Sequence, residues 1–269
     1  IRKKEGFIPT ARAKAIYPKV CEITNLLHQI SVNEACVKPK KECTIAVPPT
    51  LSVGLPEFMD TELESCSLST STHVKHVRPQ TCEDMLQGGM SLAVIQDDDT
   101  RIQESLQRNK STLMASPIGI GEFVYIVARE EHPVWFSGLT LADIAHFPFI
   151  VTAIEGFNDI QDPFEVYCEQ NQLPLSSIYK THSLAGLITR LRSSDAISFL
   201  GTHCAADFVG MVHGLKAVKM SAEQYELLHS VLSKPRYSLL SRSDHACNRP
   251  EGFVNGIKSF IGAQIAEQS

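Results

Sequence analysis

The chain has 269 residues, of which 43% are hydrophobic and 20% charged, a composition typical of a globular protein with about two domains. No stretch approaches the ~20 apolar residues of a membrane span, and the basic N-terminal segment lacks the apolar core of a signal peptide. The net charge of -5 is uneven, because residues 1–41 carry +6 and the remainder -11. A basic end on an acidic body leaves two interpretations open: a polyanion-binding function at or before the N-terminus, and a solvated linker rich in Lys.

The N-terminal segment contains a heptad pattern. Residues 1–9 are a short polar piece around Gly6, typical of half of a β-hairpin. After Thr10, apolar side chains recur at steps of four and three residues, at Ile16, Val20, Ile23, Leu27 and Ile30. A stiff polar linker follows at 38–41, so this stripe has no obvious core of its own chain to cover. We expect it to pack against a helix of another subunit; packing within the chain is the alternative.

Residues 43–59 predict a strand, a sharp turn and the start of a helix. The apolar run 44–47 indicates a buried strand, which two prolines end. Thr50 or Ser52 would cap the helix, unless it starts closer to Gly54, because Pro56 fits poorly inside it. The free N–H groups of such a helix start suit an anionic or carbonyl-bearing small molecule. An ordinary βα unit that binds nothing has the same pattern.

Strands and helices alternate through the rest of the chain, which predicts parallel βαβ units. Strands are expected at 69–77, 92–95, 123–128, 149–152, 177–181, 196–200, 215–219 and 237–241. Helices are expected at 82–86 with Thr81 as cap, at 140–146, 163–170 and 184–191, and at 253–265. Residues 96–110 predict a loop or exposed helix, and 119–121 predict only a turn.

Motifs for catalysis or metal binding are not apparent. The eight cysteines stand singly, without CxxC, which favours free thiols in a reducing compartment. GxSxG, HExxH and a full dinucleotide fingerprint are missing from the sequence, and the adjacent His203 and Cys204 need not form a dyad. The acidic triplet 97–99 lacks the Gly and Glu positions of a calcium loop. We therefore expect no enzyme activity, no metal and no cofactor.

Four short motifs, in this order, resemble the effector-binding part of LysR-type transcriptional regulators. GFIPTA at 6–11 resembles the end of the family's winged helix–turn–helix domain, where a Pro-Thr pair opens the linker helix. The turn and helix start at 49–56 resemble its first regulatory strand and helix, and 88–95 resembles its Gly-x-x-Asp-Leu-Ala-Ile strand. The series HP, LTLADIA and PFI within 132–150 is the most specific of the four.

The resemblance implies an α/β, two-lobed, periplasmic-binding-protein-like (type 2) regulatory domain with an N-terminal linker helix. Residues 1–9 would be a remnant of the winged helix–turn–helix, and 10–41 the linker and dimerisation helix. Lobe I would combine 42–128 with 235–269, and lobe II would be 129–234. A small molecule bound between the lobes would modulate DNA binding and transcription by the full-length oligomer. That oligomer would be a cytoplasmic homodimer or homotetramer, contacting DNA through the missing N-terminal domain and not a membrane.

The resemblance also places the effector against particular residues. These are Pro49, Thr50, Arg78, Thr81, Gln96, Thr152, Gly201 and Thr202. Arg78 would offer bidentate donors to a carboxylate. An exposed arginine and two helix-capping threonines, Thr50 and Thr81, are the alternative interpretations. A periplasmic solute-binding protein shares the two-lobed fold, but it needs a secretion signal and has no heptad linker.

Overall fold

The computed structural model describes residues 2–3, 6–7, 10, 41–65, 70–78, 80–96, 104, 106–108, 112–154, 158, 161–243 and 251–267. The chain divides into two units, residues 1–41 and 42–269. In the first, β1 (Arg2–Lys3) pairs antiparallel with β2 (Gly6–Phe7), so both strands of a short hairpin lie in the segment expected to form half of one. The heptad residues Ile16, Val20, Ile23, Leu27 and Ile30 lie outside the described residues, so the dimerisation helix stays a prediction.

The larger unit is built on two five-stranded sheets, one in each lobe. The lobe I sheet has the order β4-β3-β5-β12-β6. Its strands are β3 (Lys41–Val47), β4 (Thr70–His76), β5 (Leu92–Gln96), β6 (Leu113–Ile120) and β12 (Arg236–Arg242). β3 and β5 are parallel, whereas β12 is antiparallel to β5 and β6. The described part of this lobe includes the helices α1 (Leu55–Ser65), α2 (Thr81–Leu86) and α8 (Glu251–Ile265).

The lobe II sheet has the order β11-β7-β10-β8-β9. Its strands are β7 (Tyr125–Arg129), β8 (Phe149–Thr152), β9 (Ile178–Thr181), β10 (Ile197–Leu200) and β11 (Leu215–Lys219). β8 runs parallel to β9 and β10, and β7 is antiparallel to β10 and β11. The helices are α3 (Leu141–Ile144), α4 (Pro163–Gln170), α5 (Leu184–Arg192), α6 (His203–Gly210) and α7 (Ala222–Leu228).

Each lobe has its own hydrophobic core, formed where helices cover its sheet. The interior strands β5 and β8 are buried along their whole length, as their nearly unbroken apolar runs require. In lobe I, α8 contributes one apolar face, since Phe253, Ile257 and Ile261 recur every four residues and all are buried. Two separate cores joined by the chain make a two-lobed α/β unit, and the predicted fold class is confirmed.

The chain crosses between the lobes twice, from β6 to β7 and from α7 to β12. The first crossing comes earlier than the sequence suggested. Residues 123–128 were assigned to lobe I, but β7 pairs with β10 and β11 of lobe II. An apolar run shows that a strand is buried without showing which sheet it joins, so this boundary was wrong by one strand.

One of the two starts expected for the first helix is confirmed, and the cap predicted for the second helix is wrong. Pro49–Leu51 forms a single 3-10 turn, and α1 begins at Leu55, the alternative start, after Gly54 with φ +73°. A proline in the first helical turn removes no helical hydrogen bond, so Pro56 fits there. Thr81 is the first residue of α2 and not its cap; its Oγ1 accepts a 2.8 Å bond from the Arg78 N–H.

Three elements were missed in the sequence: β6, α6 and α7. β6 is an edge strand whose side chains are mostly exposed or half-buried, so its apolar signal is weak. α7 begins after Ser221, whose Oγ accepts a 3.3 Å bond from the Gln224 N–H.

In the described parts of the chain, no helix combines the length and apolarity needed to cross a membrane.

Candidate functional site

A cavity of about 70 Å³ lies between the two lobes. It opens where β5, β8 and β10 end, the position at which open α/β sheets usually bind ligands. Its walls are apolar on several sides, from Phe123, Val124, Ile154, Phe199, Leu228 and Pro235. Its polar lining consists of Thr50, Gln96, Thr152, Asn158, Asp162, His229 and Tyr237, with Gly201 beside them. The volume holds more than one water molecule but is small beside drug-sized pockets, which are ~300 Å³ or more.

Gln96 is the polar centre on the lobe I side. It is the last residue of β5 and is 1% exposed, and neither Oε1 nor Nε2 has a hydrogen-bond partner. Tyr237 lies opposite it on β12. Burial raises the pKa of Tyr237 to about 12, and the nearby Gln96 amide opposes this shift. The two side chains are nevertheless not hydrogen-bonded by distance and angle. The Gln96 amide therefore has an unpartnered donor, Nε2, and an unpartnered acceptor, Oε1.

Thr152 is the corresponding group on the lobe II side. It ends β8 and is 4% exposed, and its Oγ1 is buried without a partner. A buried polar atom without a partner costs about 1–3 kcal/mol. Residues from both lobes that carry unpartnered polar atoms therefore line one cavity.

A buried carboxyl group closes the lobe II wall. Asp162 caps α4 by accepting a 2.9 Å bond from the Phe164 N–H, and Asn158 Nδ2 donates to its other oxygen at 3.0 Å. Asn158 Oδ1 also accepts a 2.7 Å bond from the Ile154 N–H, which fixes the chain after β8. Burial raises the pKa of Asp162 to about 6, against the opposing effect of these hydrogen bonds.

His229 lies at the C-terminal end of α7, beside the second crossing. Burial lowers its pKa, so the imidazole is neutral at pH 7, and its Nδ1 is buried without a partner. Its ring packs against Tyr225 with centroids 4.6 Å apart. The cavity therefore has a neutral histidine, and not a cation, on this side.

The N-terminal end of α6 joins the lobes next to the cavity. The Thr202 hydroxyl donates to the Thr50 carbonyl at 3.1 Å, and the Cys204 N–H donates to Gln264 Oε1 at 2.7 Å. The Nε2 of His203 lies 3.0 Å from the carbonyl oxygen of Ala266, beyond the end of α8. These bonds attach lobe II to the first turn and last helix of lobe I.

The structure brings together four of the predicted effector-binding residues. Thr50, Gln96, Thr152 and Gly201 all line the cavity. Thr202 is fully buried beside them, and its hydroxyl donates to the backbone carbonyl of Thr50. Direct contact with an effector stays a prediction for each.

The other three predicted residues lie off the cavity wall. Pro49 is buried in the turn that carries Thr50, but it is not part of the lining. Arg78 is exposed, and Thr81 is buried beneath it at the start of α2. The predicted carboxylate clamp at Arg78 is therefore not part of this cavity.

Four polar residues of the lining were not predicted: Asn158 and Asp162 on the lobe II wall, and His229 and Tyr237 beside the second crossing. Asn158 lies on the wall, between the predicted strand at 149–152 and the predicted helix at 163–170. The Asp-Pro-x-Glu sequence at 162–165, a capping box, was the available signal for Asp162. Nothing in the local pattern marked His229 or Tyr237.

The described residues offer little for catalysis or metal binding. No group of three or more His, Cys, Asp or Glu side chains among them could hold a metal ion. Burial raises the pKa of Cys204 to about 11, the opposite of what a nucleophilic thiolate needs. The ring nitrogens of His203 contact Tyr125 and Ala266.

No protein-family model matches the sequence, and no curated protein matches it by sequence. Solved structures with a similar fold nevertheless cover nearly the whole chain. Full-length CbnR in complex with its target DNA has a TM-score of 0.60 at 14% identity, over 93% of this chain and 81% of CbnR. The regulatory domain of MexT, a transcriptional activator in Pseudomonas aeruginosa, has a TM-score of 0.59 at 17% identity, over 81% of this chain and 99% of that domain. A cysteine mutant of OxyR from Corynebacterium glutamicum has a TM-score of 0.56 at 13% identity, over 97% of this chain and 78% of OxyR.

The fold is therefore the two-lobed α/β fold of regulatory domains in LysR-type regulators. CbnR is itself a LysR family transcriptional regulator. At 13–17% identity these similarities establish the shared fold. The resemblance seen in the sequence motifs is confirmed at that level.

Proposed function

We propose that this chain is the effector-sensing part of a LysR-type transcriptional regulator. A small molecule binds between the lobes and modulates DNA binding and transcription by the full-length oligomer. The observation that carries the proposal is the cavity between the lobes, which is lined by Gln96 from lobe I and Thr152 from lobe II, two residues with buried, unpartnered polar atoms. A ligand in this cavity binds most tightly when the lining residues of both lobes contact it.

The physical basis is differential binding to two arrangements of the lobes. Besides the two crossings, the lobes are joined by the bonds of Thr202, His203 and Cys204 and by the ion pair of Lys219 with Glu267. A ligand that touches both walls binds the closed arrangement more tightly and shifts the population toward it. The shift changes DNA binding only if the subunits are arranged differently in the two states.

The N-terminal unit supplies the link to DNA in this proposal. The heptad residues Ile16 to Ile30 would pair subunits, and the winged helix–turn–helix ending near Thr10 would contact DNA. The +6 charge of residues 1–41 favours a polyanion at this end of the chain. The structural likeness to CbnR bound to its target DNA supports the same organisation. We expect such a regulator to act in the cytoplasm.

Gly201 offers a way to block the site without disturbing the fold. A Cβ at Gly201 would have only the Phe123 carbonyl oxygen nearby, at 3.8 Å, so a larger side chain can enter the cavity. Gly210 is the matched control, because a Cβ there meets nothing within 4 Å and the position is exposed.

The experiment compares the full-length protein with its Gly201→Val and Gly210→Val variants. A thermal-shift screen of metabolites identifies ligands, since a ligand at 100 times its Kd adds about 2.7 kcal/mol. We expect the ligand response and the reporter response to be lost in Gly201→Val and kept in Gly210→Val, with promoter occupancy retained in both. A reporter response that survives Gly201→Val would contradict the proposal.

A further inference from the structure

The chemistry of the cavity indicates which class of effector it takes. The Gln96 amide presents one donor and one acceptor side by side, both buried and unpartnered. The group that matches it presents an acceptor beside a donor, as a carboxamide, urea or lactam edge does. The Thr152 hydroxyl, buried on the opposite lobe, adds a further donor or acceptor.

The charges around the cavity disfavour an anion. No Lys or Arg is among the lining residues that the structure describes, and Asp162 is the carboxyl group in that lining. The sequence continues from the two lining strands into Asp97-Asp98-Asp99 and Glu155, and 155–160 contains no basic residue. A carboxylate ligand would be buried beside Asp162 without a lining cation to balance it, which is strongly unfavourable.

A cation is also a poor match for this wall. Both oxygens of Asp162 already accept hydrogen bonds, from the Phe164 N–H and from Asn158 Nδ2. An ammonium group has three donors and no acceptor, so it would leave the Gln96 Nε2 donor unsatisfied. The volume of about 70 Å³ further restricts the ligand to a small molecule.

We propose that the cavity binds a small uncharged molecule through an amide-like edge, which pairs with the Gln96 side chain and is held from the other lobe by Thr152. This inference rests on the proposed function for its biological meaning. It replaces the carboxylate suggested by Arg78, which lies off the cavity wall.

Three small probes of similar size distinguish the classes: propionamide, propionate and propylamine, which are neutral, anionic and cationic at neutral pH. NMR titrations of the full chain measure their dissociation constants, on the order of millimolar for ligands this small. Propionamide is expected to bind at least about tenfold more tightly than either charged probe, a difference of about 1.4 kcal/mol. Tighter binding of propionate or propylamine, or binding of none of the three, would overturn the assignment.

Variants at Gln96 separate binding from folding. Gln96→Met keeps the length of the side chain and removes both unpartnered polar atoms. It should weaken propionamide binding about tenfold while raising the melting temperature of the unliganded chain, because buried unsatisfied groups are lost. Gln87→Met at an exposed helix end is the control and should change neither. Unchanged propionamide affinity in Gln96→Met would overturn the proposal.

The variant Thr152→Val tests the same site independently, in case the Gln96 variant does not fold. Valine has nearly the shape of threonine, so the fold is kept and only the unpartnered hydroxyl is removed. Propionamide affinity should fall, and Thr152→Ser should restore it. Equal affinity in the valine and serine variants would remove Thr152 from the assignment.

The two proposals fail in different ways. If propionamide binds as expected but no bound ligand changes transcription in the full-length protein, the ligand assignment stands and the regulatory function fails. If a carboxylate binds in the cavity and changes transcription, the regulatory function stands and the ligand assignment fails.

Discussion

The hydroxyl of Thr202 in lobe II donates a 3.1 Å hydrogen bond to the backbone carbonyl of Thr50 in lobe I. Thr202 is fully buried and Thr50 is 4% exposed, so water does not compete freely for either group. The bond joins residues that are 152 positions apart, at the edge of the cavity. This bond connects lobe II directly to the turn of lobe I that carries Thr50 and lines the cavity.

Replacing Thr202 by valine should loosen this connection. Thr202→Val removes the donor and leaves the Thr50 carbonyl with only the weaker Cys204 thiol at 3.4 Å. We expect the free energy of unfolding to fall by about 1–2 kcal/mol, measured by urea denaturation. Thr189→Val is the control, because the Thr189 hydroxyl bonds the Ala185 carbonyl on an exposed helix face. An equal fall in the free energy of unfolding in both variants would show that the bond between the lobes adds no more stability than an exposed helix bond.

The two crossings contact each other directly at Gly121. Its N–H donates to the Pro235 carbonyl at 2.8 Å, and a Cβ there would lie 2.9 Å from Pro235 Cγ. Gly121→Ala should therefore destabilise the protein by about 1–3 kcal/mol through overpacking. Gly210→Ala, where a Cβ meets nothing, should have no such effect in the same thermal melts. A neutral Gly121→Ala would mean that the crossings separate easily.

The His203 ring should be held in one tautomer. Its Nε2 lies 3.0 Å from the Ala266 carbonyl oxygen, which only accepts, so Nε2 carries the proton. Nδ1 then accepts from the Tyr125 hydroxyl at 3.0 Å. Long-range ¹⁵N–¹H NMR spectra at mildly alkaline pH should show the Nε2–H form. Tyr125→Phe should cost about 1 kcal/mol of stability. A spectrum of the Nδ1–H form would contradict this arrangement.

Asp162 should make stability fall as pH rises through its titration range. Burial raises its pKa from 3.8 to about 6, so between these values the folded state binds more protons than the unfolded state. Stability contributed by the protonated form is complete below about pH 4 and is lost progressively up to about pH 6. The total change is about 2–3 kcal/mol.

Asp162→Asn isolates this effect. Asparagine keeps an acceptor for the Phe164 N–H but cannot ionise. The difference in free energy of unfolding between this variant and wild type should shift in favour of asparagine as pH rises from about 4 to 7. Denaturation at each pH measures it. A difference that does not vary with pH would show that Asp162 titrates normally.

The fold was largely predictable because its central strands are continuous apolar runs and several helices have local start signals. Thr140 with Asp143, and Ser183 with Gly186, form caps that the sequence itself displays. The edge strand β6 was missed because its half-exposed side chains carry no clear period. The first crossing was misplaced because the strand at 125–129 joins its sheet through contacts distant in sequence.

The candidate site was predictable only where a residue follows a buried strand. Gln96, Thr152 and Gly201 all come at or just after strand ends, and all three line the cavity. Arg78 has the right chemistry for an anion but is exposed, and it follows β4, which lies at the edge of the sheet. His229 and Tyr237 reach the cavity through the second crossing, which no local pattern reveals.

Hydrogen–deuterium exchange tests the central claim, that an effector is held by both lobes at once. The full-length protein is measured with and without the metabolite that most raises its melting temperature. We predict slower exchange both at 92–96 in lobe I and at 149–154 in lobe II, and no such protection in Gly201→Val. Protection confined to one lobe, or located away from the cavity, would contradict it.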